Sequence, residues 1–463
     1  MSANDVRLLN RRALLKGTVA TAAGLSLAAP FEALARGGGR ARCSPDYGEL
    51  VPTVDETTGL PLLELPRGFR YFSFSWTGDA MIDGRPVPGG HDGGAVVHAR
   101  GSRVIYVRNH ELGYSAGATY EGSFADPGIT FDASRAPGGT TNVELDLRRG
   151  RCVRTWPSLS GTIRNCAGGL TPWGSWLTCE EDLTNASDVN QRDHGWVFEV
   201  PAFGRALALP LEGLGRFNHE ACAVDPRTGI VYETEDTGRS GIYRFVPRRP
   251  GDLLRGGQLQ MLRIVGQPGV DTTTGIPALT PLDIDWVDID EPGRRDDAPG
   301  DGAGVFAQGF AQGGASFRRG EGMWYGDGKI YFSCTSGGAA GEGQIWELDP
   351  ARGHLRLIFE SPSEEVLDNP DNIAVTPGGG LILCEDGDLE GQQMRGLSPD
   401  GVIFPFAQNG IVLDGEVNGI VGDFRGREWA GACFTPDGRW LIASIQTPGV
   451  TFAITGPWQR GAL

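Results

Sequence analysis

The chain has 463 residues, a formal net charge of −17 at pH 7, 72 glycines and 30 prolines. So acidic a surface argues against binding nucleic acid or an anionic membrane through a basic patch. Glycine at about twice its usual share, with no Gly-X-Y period and no long Ser, Gln or Pro tract, predicts the many tight turns of a multi-stranded β protein.

The N-terminal segment 1–35 has the features of an export signal. Residues 10–16 read NRRALLK, a twin-arginine pattern, and a modestly apolar stretch and a small-residue exit at 33–35 follow it. We expect delivery by the twin-arginine export machinery, cleavage near residue 35, and a periplasmic or secreted protein. The apolar stretch is too short for a stable membrane span. The alternative, a retained N-terminal helix, leaves the paired arginines unexplained.

Short segments rich in aromatic and β-branched residues recur after residue 70 and predict strands. They lie at 71–76, 104–107, 196–200, 230–234, 242–246, 330–334, 345–348, 355–359, 381–385, 402–406 and 441–445. Outside the N-terminal segment, no window of comparable length has a convincing helical period.

Turn sequences such as DPRTG at 225–229 and TPDG at 435–438 separate these strands at irregular spacings. Radially repeated sheets with long insertions fit this pattern best. The sequence therefore predicts an all-β fold, a β-propeller with long inter-strand insertions that occupies 36–463 as a single domain. The charged stretch 290–304 is expected to be one insertion loop.

One segment, NCAGGLTPWGSWLTCEED at 165–182, is the most informative. It places Cys179, Glu180 and Glu181 directly after a Trp-rich run that is expected to be a buried strand. Thiolate and carboxylate side chains held at the end of a rigid strand suit a metal site. The alternative is a buried cysteine followed by solvated acids.

Acidic residues also recur beside Asn, His or Gly at the ends of predicted strands. In a propeller, loops at one end of the innermost strands converge on the central channel, so these acids can meet there, where their oxygens suit calcium. Taken singly, each is equally consistent with a turn or strand-edge carboxylate. The motifs are NHE at 109–111 and 218–220, ED at 235–236 and 385–386, RRGE at 318–321, and DNPDN at 368–372.

The eight cysteines show no CxxC spacing. Cys43 and Cys152 lie in polar surroundings and are the first candidates for a disulfide. A second group lies within apolar strand-like segments, where a small buried hydrophobic residue is the commoner role. Its members are Cys222, Cys334, Cys384 and Cys433.

Several of these motifs together resemble the PhoX family of secreted bacterial alkaline phosphatases. They are NHE at 109–111, TPWGSWLTCEE at 171–181, GRFNHE at 215–220, RRGEGMWY at 318–325, DNPDNIAVTP at 368–377, EWAGACFTPDG at 428–438 and IQTPG at 445–449. The resemblance implies a propeller-based phosphomonoesterase, exported by the twin-arginine route, that acts on small phosphorylated substrates. It also implies a site holding iron and calcium, with a cysteine among the iron ligands.

The resemblance assigns roles to residues in these motifs, alongside Glu180 from the Cys-Glu-Glu segment. The expected metal ligands are Cys179 as the thiolate, Glu180, Glu220, Glu321, Glu111 and Asp371. The expected phosphate contacts are Arg319, an amide from Asn165 or Asn142, and Arg427 as a second arginine. Arg427 departs from the pattern because it stands immediately before Glu428.

Cleaving a phosphomonoester requires stabilisation of charge on the equatorial oxygens, which clustered cations and a guanidinium provide. The hypothesis is in-line displacement at phosphorus while Arg319 clamps the nonbridging oxygens. Two other classes remain: a calcium-dependent lactonase-like hydrolase, suggested by PDN at 370–372, and a non-catalytic, calcium-stabilised propeller binding protein. A calcium-only site has no use for a thiolate, which favours the phosphatase.

Overall fold

The computed structural model describes residues 45–114, 129–133, 136–186, 191–294 and 304–463. The export signal predicted over 1–35 and Cys43 lie outside these ranges, as does most of the predicted loop at 290–304. Three strands precede the first blade, β1 (Leu50–Thr53), β2 (Leu63–Pro66) and β3 (Arg70–Phe74).

The described strands then form six blades around a central axis. Blade 1 contains β4 (His91–Arg100), β5 (Arg103–His110), β6 (Gly138–Asp146) and β7 (Arg151–Thr162). Blade 2 contains β8 (Asn165–Leu170), β9 (Ser175–Glu180) and β10 (Val197–Pro201). Blade 3 contains β11 (His219–Val224), β12 (Val231–Glu235), β13 (Ile242–Pro247) and β14 (Gly257–Ile264).

The second half of the ring repeats this plan. A bridging strand, β15 (Leu282–Asp288), precedes blade 4, which contains β16 (Gly320–Gly326), β17 (Lys329–Cys334), β18 (Gln344–Asp349) and β19 (His354–Glu360). Blade 5 contains β20 (Pro370–Val375), β21 (Leu381–Glu385), β22 (Gln393–Leu397) and β23 (Ile403–Asn409). Blade 6 follows the hairpin of β24 (Val412–Asp414) and β25 (Val421–Asp423), and contains β26 (Trp429–Phe434), β27 (Leu441–Ile445) and β28 (Val450–Thr455).

Pairings between distant parts of the chain close the ring. Strand β3 pairs antiparallel with β28, so residues from the N-terminal side complete blade 6. Strand β2 pairs with β23 and extends blade 5, while β15 pairs with both β14 and β19 and links blades 3 and 4. The inner strands β4, β8, β11, β16, β20 and β26 lie side by side in that order, and β26 returns to β4.

Apolar side chains fill the space between the blades. Trp346 is fully buried between Phe317 and Phe332, with ring centroids 5.6 and 6.2 Å away. Aromatic pairs of this kind contribute about 0.5–1.5 kcal/mol each beyond the area they bury. The cysteines at 222, 334, 384 and 433 are also buried, as the sequence predicts. These layers fix the blades as a rigid frame for the loops at their ends.

The all-β propeller prediction is confirmed, and the predicted strands at 381–385 and 441–445 coincide with β21 and β27. The difference is one short helix in the described residues, α1 (Val305–Ala311), where no helical period was recognised. Within the described ranges, three 3-10 turns lie at Glu212–Leu214, Leu253–Arg255 and Trp458–Arg460. No described helix has the length and apolar character needed to cross a membrane.

A β-bulge near the start of every inner strand is the feature that positions the site. In blade 1, His91 pairs with His110, but the next paired residue is Gly94 opposite Arg108, so the inner strand carries one extra residue. Equivalent shifts occur in the other five blades. A bulge turns a side chain out of the regular alternation. Here it directs the second residue of most inner strands to the same end of the channel.

Candidate metal centre

Three backbone positions repeat around this end of the ring. The entry position immediately precedes each inner strand, the bulge position is the second residue of that strand, and the return position immediately follows the second strand of the blade. In every blade the return N–H donates to the entry carbonyl, at 2.8–3.3 Å. The pairs are Glu111 with Gly90, Glu181 with Arg164, Asp236 with Asn218, Thr335 with Arg319, Asp386 with Asn369, and Gln446 with Glu428.

These positions concentrate acidic side chains in one place. The bulge positions hold Asp92, Cys166, Glu220, Glu321, Asp371 and Ala430. Four of the six return positions are also acidic, and Glu428 occupies the entry position of blade 6. Blades far apart in sequence therefore contribute to one site, as expected for the converging loops of a propeller.

The donor atoms form four overlapping groups, within each of which every pair lies within 4.8 Å. The groups are Cys166 with Glu181 and Glu220; Glu220 with Glu321 and Asp371; Asp371 with Asp386 and Glu428; and Glu428 with Asp92 and Glu111. Because neighbouring groups share Glu220, Asp371 or Glu428, the thiol and the eight carboxylates form one continuous cluster.

The cluster changes in depth and in donor type along its length. The group of Cys166, Glu181 and Glu220 is buried, whereas Asp386 at the other end is exposed. A mixed thiolate and carboxylate set suits a transition ion, and an all-oxygen set suits calcium. The donors therefore fit a buried transition ion with hard cations nearer the surface.

The protonation of these groups agrees with a need for cations. Burial, followed by neighbouring acids, raises the pKa of the Glu220 carboxyl and of the Cys166 thiol well above their usual values. Burial and then Asp386 raise the pKa of Asp371 to about 7. Burial also raises the pKa of Glu181 to about 9, despite an opposing arginine. So many neighbouring acids ionise together only beside compensating positive charge.

Two arginines flank the cluster from equivalent entry positions. Arg319 donates from Nε to Asp236 at 2.9 Å and from Nη2 to Glu321 at 2.9 Å. Arg164 donates from Nη2 to Glu181 at 2.5 Å and to Glu111 at 3.2 Å. Each arginine thus pairs with one acid of its own blade and one of the preceding blade, and these ion pairs hold both guanidinium groups beside the cluster.

Small residues behind the bulge position let the inner strands approach each other closely. A Cβ on Gly93 would lie 2.5 Å from the Cα of Ala167, and one on Gly322 would lie 2.6 Å from the carbonyl oxygen of Asp371. A Cβ on Gly431 would lie 2.6 Å from the carbonyl oxygen of Asp92. The small residue after Asp92, Cys166, Glu220 and Glu321 therefore lets the donor groups of adjacent blades lie close together.

The structure corrects two predicted ligands. Cys179 lies in the apolar core, with its sulfur 3.4 Å from that of Cys222, and belongs to none of the donor groups. Glu180 is fully buried and accepts hydrogen bonds from His194 Nδ1 at 2.7 Å and from the backbone N–H groups of 163, 195 and 196 at 3.0–3.1 Å. Glu180 holds blade 2 together, Cys179 packs blade 2 against blade 3, and Cys166 and Glu181 occupy the cluster instead.

Of the four residues predicted to contact phosphate, the structure places one beside the cluster and three elsewhere. Arg319 lies beside the cluster. Asn165 is buried, accepts from the Thr162 hydroxyl and donates to Thr178 at 2.9 Å, so its amide is committed within blade 2. Asn142 lies on β6 and donates to the carbonyls of 201 and 202. Arg427 is exposed, one residue before Glu428, and no contact joins its side chain to the described cluster.

The other predicted ligands, Glu111, Glu220, Glu321 and Asp371, are brought together as expected. Sequence reasoning did not assign Asp92, Cys166, Arg164 or Glu428 to the site. A usable signal was present, because the acid or cysteine at each of five bulge positions is followed by Gly, Ala or Asn. The five pairs are Asp92–Gly93, Cys166–Ala167, Glu220–Ala221, Glu321–Gly322 and Asp371–Asn372.

Comparison with known proteins identifies the fold and the family. A search of curated proteins finds no sequence match. Pseudomonas fluorescens PhoX, solved in complex with vanadate, a transition state analogue, superposes with a TM-score of 0.65 at 20% identity, over 91% of this chain and 99% of that chain. A gluconolactonase from Xanthomonas campestris superposes with a TM-score of 0.36 at 16% identity, over 83% of this chain and 100% of that chain.

The family profile described as "Alkaline phosphatase PhoX" matches residues 46–449. This range extends from before β1 into the turn between β27 and β28, and includes every residue of the donor groups. The chain therefore belongs to the PhoX family of alkaline phosphatases.

Proposed function

We propose that this protein is an exported, metal-dependent phosphomonoesterase whose site takes iron and calcium. The observation that carries the proposal is the continuous cluster of one thiol and eight carboxylates with an arginine on either side. Family membership and the fold shared with a PhoX solved with vanadate support the same reaction class.

The donor groups divide the metal-binding work. Cys166, Glu181 and Glu220 would hold the transition ion, because a thiolate is a soft ligand that calcium does not select. The all-oxygen groups around Asp371 and Glu428 would hold calcium. When bound, such ions neutralise phosphate charge and make a nucleophilic oxygen available near neutral pH.

The chain's own residues would bind and orient the phosphoryl group. Arg319 is held by Asp236 and Glu321 on one side, while its Nη1 makes no hydrogen bond to any described residue. A planar guanidinium can donate two parallel hydrogen bonds to phosphate oxygens. Arg319 would therefore fix the nonbridging oxygens, and the carboxylates that pair with it would prevent the guanidinium from rotating away.

The decisive test combines metal analysis with turnover. The native protein, purified without chelator, is expected to contain iron and calcium and to hydrolyse p-nitrophenyl phosphate. Protein with calcium alone and no phosphatase turnover would contradict the proposal. Hydrolysis of a sugar lactone in place of the phosphate ester would favour the lactonase-like alternative, and calcium-dependent stability without any turnover would favour a binding protein.

Export by the twin-arginine route is part of the proposal and rests on the sequence NRRALLK at 10–16. Replacing Arg11 and Arg12 with lysine is expected to keep the protein inside the cell. Mass spectrometry of the native exported protein should show cleavage near residue 35. An intact N-terminus on exported protein would contradict the predicted cleavage.

A further inference from the structure

Arg164 and Arg319 occupy equivalent places in the ring. Each is the entry residue of its blade, and each has the left-handed backbone conformation, with φ of 46° and 49°. The same fraction of each side chain is exposed, 42%. They belong to blades 2 and 4, on either side of blade 3, and each guanidinium pairs with a carboxylate of the donor cluster, Arg164 with Glu181 and Arg319 with Glu321.

The left-handed conformation is informative because of the residue type. In blades 1 and 5 the entry residues with positive φ are Gly90 and Asn369, which adopt that region at little cost. Arginine rarely adopts the left-handed conformation, so its presence at two such positions indicates that the side chain has a function there.

The charges around Arg164 also indicate that an anion binds beside it. Arg164 pairs with Glu111 and Glu181, two members of the donor groups. In the proposed function those acids bind cations, which repel a guanidinium beside them. The arrangement becomes favourable when an anion binds between the cations and the arginine. The Nη1 of Arg164, like that of Arg319, makes no hydrogen bond to a described residue.

We infer that Arg164 is a second guanidinium that binds the substrate phosphoryl group opposite Arg319. The inference rests on the proposed phosphatase function and deepens it. Two guanidinium groups match the two negative charges of a monoester better than the single charge of a diester. The site therefore selects dianionic terminal phosphoryl groups, and Arg164 contributes to that selection.

The test uses the holoprotein and inorganic phosphate as the probe, measured both by calorimetry and by inhibition of p-nitrophenyl phosphate hydrolysis. Arg164→Ala is expected to weaken phosphate binding and lower kcat/KM by roughly 10- to 100-fold, as expected for lost hydrogen bonds to a charged group. Iron and calcium content should stay unchanged. Arg294→Ala, which removes an exposed pair with Glu291, is the matched control.

Two further measurements separate phosphate binding from a structural role. Guanidinium ion at low, non-denaturing concentration is expected to restore part of the activity of Arg164→Ala and none to Arg319→Lys. In the wild type, phosphate should inhibit more strongly than dimethyl phosphate. Arg164→Ala should reduce the difference between the two inhibition constants. Arg164→Lys, which keeps the charge near Glu111 and Glu181, should retain metal and bind phosphate with intermediate affinity.

Each result decides the inference. Wild-type phosphate affinity in Arg164→Ala or Arg164→Lys overturns it, as does an unchanged ratio of phosphate to dimethyl phosphate inhibition. Loss of metal together with phosphate binding in both variants overturns it as well, because Arg164 would then act only through Glu111 and Glu181. A wild type that hydrolyses phosphate esters while the variants do not differ leaves the proposed function standing without the second arginine. A wild type that neither turns over nor binds phosphate rejects both.

Discussion

Cys166 on β8 and Glu220 on β11 occupy the bulge positions of adjacent blades, and the Cys166 sulfur lies 3.7 Å from the Glu220 carbonyl oxygen. The same sulfur lies 3.2 Å from the carbonyl oxygen of His219. The thiol therefore contacts the backbone of the next inner strand. This contact fixes the sulfur beside the Glu220 carboxylate, where the two can bind one ion.

Replacing Cys166 with Ala is expected to abolish iron binding and to lower kcat/KM by more than about 100-fold. This is a larger loss than the roughly 10- to 100-fold that follows removal of a residue that only supports a metal ligand. The physical reason is the loss of the one thiolate in the buried donor group. Metal analysis and p-nitrophenyl phosphate turnover measure the result.

The matched control is Cys179→Ala, which changes the same atoms on the neighbouring strand. Cys179 packs against Cys222 in the core, so this variant should lose about 1 kcal/mol of unfolding free energy and keep its iron. Iron loss in Cys179→Ala with retention in Cys166→Ala would contradict the placement of the thiolate.

The choice between these cysteines shows what the sequence could and could not predict. Strand positions followed from β-branched and aromatic runs, and the turns between them indicated a propeller. The ligand depended on register: Asn165 pairs with Glu180 and the next pair is Gly168 with Thr178, so Cys166 lies in the bulge, while Glu181 follows the last paired residue at the open end of the hairpin. A bulge is a property of how two strands pair, which a single strand's sequence does not show. A shift of one residue in that pairing moves a side chain to the other face of the sheet.

The arginines illustrate the same difficulty. Arg319 was recognisable because it precedes Glu321 in an R-x-E arrangement. Arg164 stands before an Asn-Cys pair with no acid nearby in sequence, and its acidic partners Glu111 and Glu181 come from other strand ends. The equivalence of the two arginines appears only when the blades are superposed as repeats of one hairpin.

Glu180→Gln and Glu181→Gln should affect different properties, stability and metal content respectively, although they alter neighbouring residues. Glu180 accepts four hydrogen bonds in a fully buried setting, so its replacement is expected to lower the unfolding free energy by about 3 kcal/mol. Its metal content per folded molecule should be unchanged. Glu181→Gln should lower metal content with a smaller effect on urea unfolding measured in chelator. Equal metal loss in both variants would contradict the separation of their roles.

Gly322→Ala should disturb the site through the backbone. The added Cβ would lie 2.6 Å from the carbonyl oxygen of Asp371 and 2.7 Å from the backbone nitrogen of Ile373, and neither atom can rotate away. We expect a loss of about 1–3 kcal/mol in stability. Calcium affinity should fall as well, because Asp371 moves relative to Glu321. Calorimetric calcium titration measures this. Gly426→Ala, where a Cβ meets nothing within 4 Å, is the control and should match the wild type.

Removing the metals should destabilise the protein through repulsion among the acids. The cluster brings eight carboxylates together, and its flanking arginines offset only part of their charge. Chelator is expected to lower Tm, and calcium added back should raise it by the linkage relation, equivalent to about 2.7 kcal/mol at a hundred times Kd.

Salt distinguishes this repulsion from a loss of packing. Because the screening length falls to about 3 Å at 1 M ionic strength, sodium chloride should restore part of the chelated protein's Tm. The triple variant Glu220→Gln, Asp371→Asn, Glu428→Gln removes the shared carboxylates of the donor groups. It should be more stable than the wild type in chelator and insensitive to added calcium. A chelated wild type that keeps its Tm, or a triple variant that still responds to calcium, would show that the cluster does not depend on bound cations.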